Sequence, residues 1–121
     1  MTKKTKIMTI HPYRVEGKGW MFDDPTTGLK EEGLVCGIDT LLDLYSREKK
    51  LNTTKGFDVK FSNQPIKNHT LELHKQYELD GSGREHGTMY NCPQYNCEGW
   101  LCPSLYLYFE EAPETIYIKI G

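Results

Sequence analysis

An α+β fold, a mostly antiparallel sheet of five to six strands with two helices, is what the 121-residue sequence predicts, on three observations. Apolar residues alternate with period two in several short segments, which is the pattern of a strand with one buried face. Two other segments carry apolar residues at helical spacing. The chain holds a single Ala against 8 Tyr and 4 Phe, and aromatic and β-branched side chains suit a pleated surface better than a helix. The strands follow one another through short turns, which favours hairpins over strand–helix–strand alternation.

Ile7, Ile10, Pro12, Tyr13 and Val15, then Gly19-Trp20-Met21-Phe22, read as a β-hairpin closed by Glu16-Gly17-Lys18. Asp23-Asp24-Pro25-Thr26-Thr27-Gly28 gathers side chains that bond their own backbone, so the second strand ends there. After a short extended piece at Leu34–Cys36, Ile38, Leu41, Leu42 and Tyr45 fall at i, i+3, i+4 and i+7. They predict a helix capped by Asp39 and ending near Lys50, with Lys49 and Lys50 at the negative end of its dipole. Phe57, Val59 and Phe61 alternate with Asp58 and Lys60 as a strand. Leu71, Leu73, Tyr77 and Leu79 mark the buried face of the next, broken only by Lys75. A two-residue turn at Gly81-Ser82 would set Tyr90 opposite Leu73 and Cys92 opposite Leu71. Glu98-Gly99-Trp100-Leu101-Cys102-Pro103 opens a second helix with Leu101, Leu105, Tyr108 and Phe109 on its apolar face. Ile116, Ile118 and Ile120 then alternate with Tyr117 and Lys119 in a last strand placed inside the sheet.

The length fits one domain over residues 1–121, with residues 1–6 a flexible terminus. Leu, Ile, Val and Phe supply just over the roughly 20% below which a highly charged chain stays disordered, and the net charge is only −2, so the chain folds. Residues 1–60 hold 11 basic and 9 acidic groups, residues 61–121 hold 4 and 8. That asymmetry builds no basic stripe, and it speaks against nucleic acid as the partner. No segment approaches the roughly 20 apolar residues of a membrane span, and Met1–Ile10 lacks the apolar run of a secretory signal, so a cytoplasmic location is expected.

Four features invite chemistry. Asp23 and Asp24 are adjacent carboxylates at a strand end, able to share a proton or hold a hard cation, although Asp before Pro is equally turn chemistry. Glu98 could join them or complement the start of the second helix. Cys92, Cys97 and Cys102, with His86 or Cys36, are zinc-type ligands, but intervals of five lack the close pairs from which two sulfurs converge. Ordinary buried thiols are therefore favoured over a metal or a disulfide, and no metal or cofactor is expected. His69, His74 and the nearby Glu72 could be ligands, but His69 and His74 are five apart and would face opposite sides of a strand, so they read as solvated surface histidines. Trp20 and Trp100, with the many tyrosines, are mostly core, but so small a chain cannot bury every large ring, which leaves room for an exposed aromatic patch suited to a partner or a flat ligand. Neither G-x-G-x-x-G, a P-loop, G-x-S-x-G nor H-E-x-x-H occurs.

Two blocks, Trp20-Met21-Phe22-Asp23-Asp24-Pro25-Thr26-Thr27-Gly28-Leu29 and Glu98-Gly99-Trp100-Leu101-Cys102-Pro103, resemble a small bacterial family of uncharacterised proteins, a domain of unknown function. The resemblance implies a stand-alone bacterial domain of this length and transfers no activity. Within that pattern Cys102 belongs to the shared block while Cys92 and Cys97 do not, which argues further against zinc as a family role.

The functional expectation is a non-catalytic binding or interaction module. Its ligand-binding residues are Trp20, Asp23, Asp24, Glu98 and Trp100 around one cleft, and its partner is a protein, a small polar ligand or a second copy of the chain. Two alternatives stand beside it: an enzyme using Asp23, Asp24 or Glu98 as acid, base or cation ligand, and a zinc-stabilised fold using Cys92, Cys97 and Cys102.

Overall fold

Pro12 divides the first expected strand between two sheets. In the computed structural model, which describes residues 5–23, 30–32, 38–68, 71–78, 88–100 and 113–121, β1 (Ile7–Ile10) pairs antiparallel with β5 (Val59–Ser62). Three residues on, β2 (Tyr13–Val15) pairs instead with β3 (Gly19–Asp23). A proline has no N–H for the ladder and a fixed φ, so the His11-Pro12 step is a corner rather than a continuation. The 13–23 hairpin forms as expected, with the Lys18 N–H donating to the Val15 carbonyl at 3.0 Å across Glu16-Gly17-Lys18. β4 (Lys30–Glu32), which the sequence did not announce, completes a three-stranded sheet of order β2-β3-β4.

The helix α1 (Ile38–Lys49) matches its expected stripe: Leu41, Leu42 and Tyr45 are buried. The Asp39 carboxylate accepts from the Thr40 N–H at 2.9 Å. Lys50 adopts the left-handed region (φ 56°), while the Leu51 N–H reaches back to the Ser46 carbonyl at 2.8 Å and the Lys50 N–H to that of Arg47. This is a Schellman close, which satisfies carbonyls at the helix end and reverses the chain.

The larger sheet has the order β1-β5-β9-β6-β7-β8, with β6 (Leu71–Glu78), β7 (Thr88–Cys92), β8 (Cys97–Trp100) and β9 (Thr115–Ile120), every neighbouring pair antiparallel. β9 does lie inside it, between β5 and β6, and Ile116, Ile118 and Ile120 are buried. Two expectations are corrected. Tyr90 stands opposite Lys75 and Asn91 opposite His74, two places from the expected register, with a bulge between Lys75 and Tyr77. Glu78↔Thr88 is the last described pair, and the expected Gly81-Ser82 turn lies outside the described residues; a shift by two still keeps each residue on its face. Residues 98–100 are strand, not the entry to a helix, because β8 pairs along β7 from Cys92↔Cys97 to Met89↔Trp100. The remainder of the expected second helix, the Leu34–Cys36 segment, and Asp24 to Gly28 lie outside the described residues. The described chain thus has nine strands and one helix, an α+β arrangement dominated by antiparallel sheet.

One core cluster joins the two sheets. Met8, Ile10, Val59, Phe61, Leu71, Leu73, Tyr90 and the three isoleucines of β9 supply one face of the large sheet. Trp20 and Phe22 enter from β3, and Leu41, Leu42 and Tyr45 from α1. Burying large apolar side chains of this kind contributes about 1.5–3 kcal/mol each relative to exposure.

Candidate functional site

The Trp20 ring is only 3% exposed, packed edge-on against Phe57 with centroids 5.5 Å apart. Its indole N–H donates to Asp43 Oδ1 on α1 at 2.7 Å. A buried tryptophan needs a partner for that one donor, and this bond fastens the small sheet to the helix. The Arg14 guanidinium stands 3.7 Å from the same carboxylate oxygen. Asp23 is the last residue of β3, opposite Lys30. Glu98 and Trp100 occupy alternate positions of β8, opposite Asn91 and Met89 in the register. Trp20 belongs to the core. Asp24 lies outside the described residues.

An open cavity of about 470 Å³ lies instead at the β2–β3 turn, bordered by Arg14, Glu16, Lys18, Thr53 and Thr54 and the backbone of Gly17 and Gly19. Its making is local. The Schellman close of α1 directs residues 51–54 alongside β2, where the Arg14 N–H donates to the Thr53 carbonyl at 2.8 Å. Gly17 (φ 83°) and Gly19 (φ 93°) hold conformations that side chains rarely adopt, and no atom lies within 4 Å of where their Cβ would be. The turn thus offers bare backbone to the cavity. Among the described residues Val15 is its one apolar neighbour. Two cations and two hydroxyls suit hydrogen bonds to an anionic group, with Glu16 as a counterweight at the rim. Sequence reading passed over these residues because Arg14 and Thr53 are far apart in the chain; the signal available was the glycine-flanked Glu16-Gly17-Lys18 turn.

Residues 6–121 match the model of a family of unknown function, DUF6717. The chain belongs to that family. Both blocks that carried the resemblance, at Trp20 and at Glu98, fall inside the matched span. No curated protein and no solved structure matches the chain. For this DUF6717 member, activity therefore has to be argued from the site itself. Among its described residues no helix is long and apolar enough to cross a membrane.

A second polar constellation in the DUF6717 chain sits at the His11-Pro12 corner. His11 Nδ1 is 2.8 Å from Asp58 Oδ1 and His11 Nε2 is 3.2 Å from the Lys55 carbonyl. With an acceptor at each nitrogen the ring is best served as the doubly protonated imidazolium. The hydrogen bond His11 donates to Asp58, then that to the Lys55 carbonyl, raise the His11 pKa above its ordinary value. A raised folded-state pKa gives stability that is complete below the unfolded value near 6.5 and is lost as pH rises through the folded value. Since the side chains are 56% and 62% exposed, the contribution stays below about 1 kcal/mol. The expected result is a difference in unfolding free energy between wild type and His11→Gln that is present at pH 5.5 and gone by pH 8.5, read by denaturant titration. A difference independent of pH would show that packing, not the charge, holds the corner.

On the outer face of β6, the Glu72 carboxylate lies 3.2 Å from His74 Nε2, and Thr115 Oγ1 lies 3.3 Å from His74 Nδ1. This is the polar strand face the alternation predicted. Among the described residues no group of three His, Cys, Asp or Glu side chains converges on a point that could hold a metal. His86, Cys36 and Cys102 lie outside those residues. Tyr95, in the β7–β8 turn, donates to the Glu48 carboxylate and meets Tyr45 edge-on at 6.5 Å. Burial and the bond to Glu48 push its phenol well above the usual range, so the ring stays neutral as it docks on α1.

Proposed function

We propose that the chain is a non-catalytic binding module that takes a small polar ligand bearing an anionic group at the β2–β3 turn. The cavity there carries the reading: Arg14, Lys18, Thr53 and Thr54 converge on it from two separate segments. Its volume is within the roughly 300–1,000 Å³ of small-ligand sites, and its polar lining favours recognition by charge and hydrogen bonding. Glu16 favours ligands that carry a donor beside the anion.

The test is an amide-resolved NMR titration with inorganic phosphate and, separately, with succinate. Saturable shifts at Gly17, Gly19, Thr53 and Thr54 are expected with at least one of them. Arg14→Ala should weaken that binding by roughly tenfold or more, the worth of a charge-assisted hydrogen bond of about 1.5–3 kcal/mol. Shifts scattered over the surface, or none, would remove the reading.

A second reading keeps the partner surface at Glu98 and Trp100. It is supported by the placement of Glu98 and Trp100 at alternate positions of β8, an edge strand of the described sheet, since an acidic and an aromatic residue together suit a protein partner.

A further inference from the structure

Binding at the β2–β3 turn makes no use of the cysteine run, two members of which the strand ladder sets against each other. Cys92 ends β7, Cys97 begins β8, and the two are direct partners in the antiparallel register. Pro93-Gln94-Tyr95-Asn96 joins them: the Tyr95 N–H donates to the Cys92 carbonyl at 3.3 Å, and Asn96 takes the left-handed conformation (φ 51°) that closes the turn. Directly opposite residues of an antiparallel pair share one face, with Cα atoms about 4.5–5.5 Å apart. A disulfide asks for Cα atoms about 4.4–6.8 Å apart. The backbone therefore already stands within bonding range, and the tight turn holds it there.

We propose that Cys92 and Cys97 are a redox-responsive pair, closed to a disulfide by exchange with a small disulfide such as oxidised glutathione. Cys92 is 1% exposed and donates to Gln94 Oε1 at 3.4 Å, and in the proposed sequence Cys97 is the thiol that exchanges first. The Cys97 thiolate attacks one glutathione sulfur, forming a mixed disulfide and releasing one glutathione thiolate, which takes up a proton. Cys92, losing its proton, then attacks the Cys97 sulfur and releases the second glutathione. Two protein thiols are oxidised and one small disulfide is reduced to two thiols. The clasp forms at the base of the turn whose Tyr95 docks on Tyr45 and Glu48 of α1, so oxidation stiffens the hairpin at that contact.

The experiment equilibrates the full chain in oxidised and reduced glutathione, native and in concentrated guanidinium chloride. Acid quench, alkylation and peptide mass spectrometry then identify the linkage. Because the folded ladder raises the effective concentration of one thiol at the other, the native chain should hold at least roughly tenfold more Cys92–Cys97 disulfide than the denatured one at the same glutathione ratio. In Cys92→Val, which keeps a buried apolar side chain, the glutathione adduct at Cys97 should persist instead of resolving. The proposal is overturned if the native chain oxidises no more readily than the denatured, if either cysteine links to Cys36 or Cys102 instead, or if the wild type stops at the glutathione adduct.

Discussion

Gly56→Ala should lower the free energy of unfolding by about 3 kcal/mol, the combined scale of left-handed strain in a residue with a side chain and of overpacking against atoms that cannot retreat. Gly56 has φ 88°, and a Cβ there would lie 2.6 Å from His11 Nε2 and 2.8 Å from the Pro12 carbonyl oxygen. The histidine tip could swing aside, but the carbonyl is backbone and is already engaged by the Phe57 N–H at 3.2 Å. The Gly56 N–H itself donates to the Asn52 carbonyl at 3.1 Å, so the loop cannot yield without losing bonds on both sides. Gly17→Ala is the internal control: its φ is similarly positive, but its Cβ would meet nothing, and about 1 kcal/mol is expected from the conformation alone. Guanidinium titrations of both variants, compared at constant m-value, measure the contrast. Equal losses would mean that the His11-Pro12 corner is not clamped against residues 52–58.

Trp20→Ala should cost about 4 kcal/mol, in the range of large aromatic truncations in a core. It removes the ring that packs on Phe57 and the donor that holds Asp43. Trp20→Phe keeps most of the apolar contact and deletes the N–H. Combined with Asp43→Ala in a double-mutant cycle, it should give a coupling of about 1.5 kcal/mol, appropriate to a hydrogen bond with a charged acceptor. Thermal and denaturant unfolding supply all four corners of the cycle. A Trp20→Ala protein of near wild-type stability that failed instead to bind its ligand would return Trp20 to the surface role its sequence block suggested.

Much of the large sheet was legible from alternation. Val59 and Phe61, Leu71 and Leu73, and the three isoleucines of β9 are buried as their period required, because a strand with one solvated face writes that face into every second residue. The α1 stripe was legible for the same reason at the helical period. The site was not. Trp20 carries the same composition whether it faces water or the core. What decides is Asp43, 23 positions away, and no local pattern announces an acceptor at that distance. The candidate cavity likewise joins Arg14 to Thr53 through the course the chain takes after Lys50, and the cysteine interval of five, which offered no close pair in sequence, becomes a direct backbone pairing of Cys92 with Cys97 once β7 and β8 are in register.

By itself, then, the sequence determined the strands whose apolar residues alternate and the helix α1, and which of their faces are dry, since these follow from local conformational preference and the period of apolar residues. Only the tertiary structure decided that Pro12 sends one run into two sheets, that residues 98–100 extend the large sheet, and that Trp20 belongs inside. Each of those outcomes depends on partners remote in the chain, where closing a loop is rewarded only by the contacts it brings together.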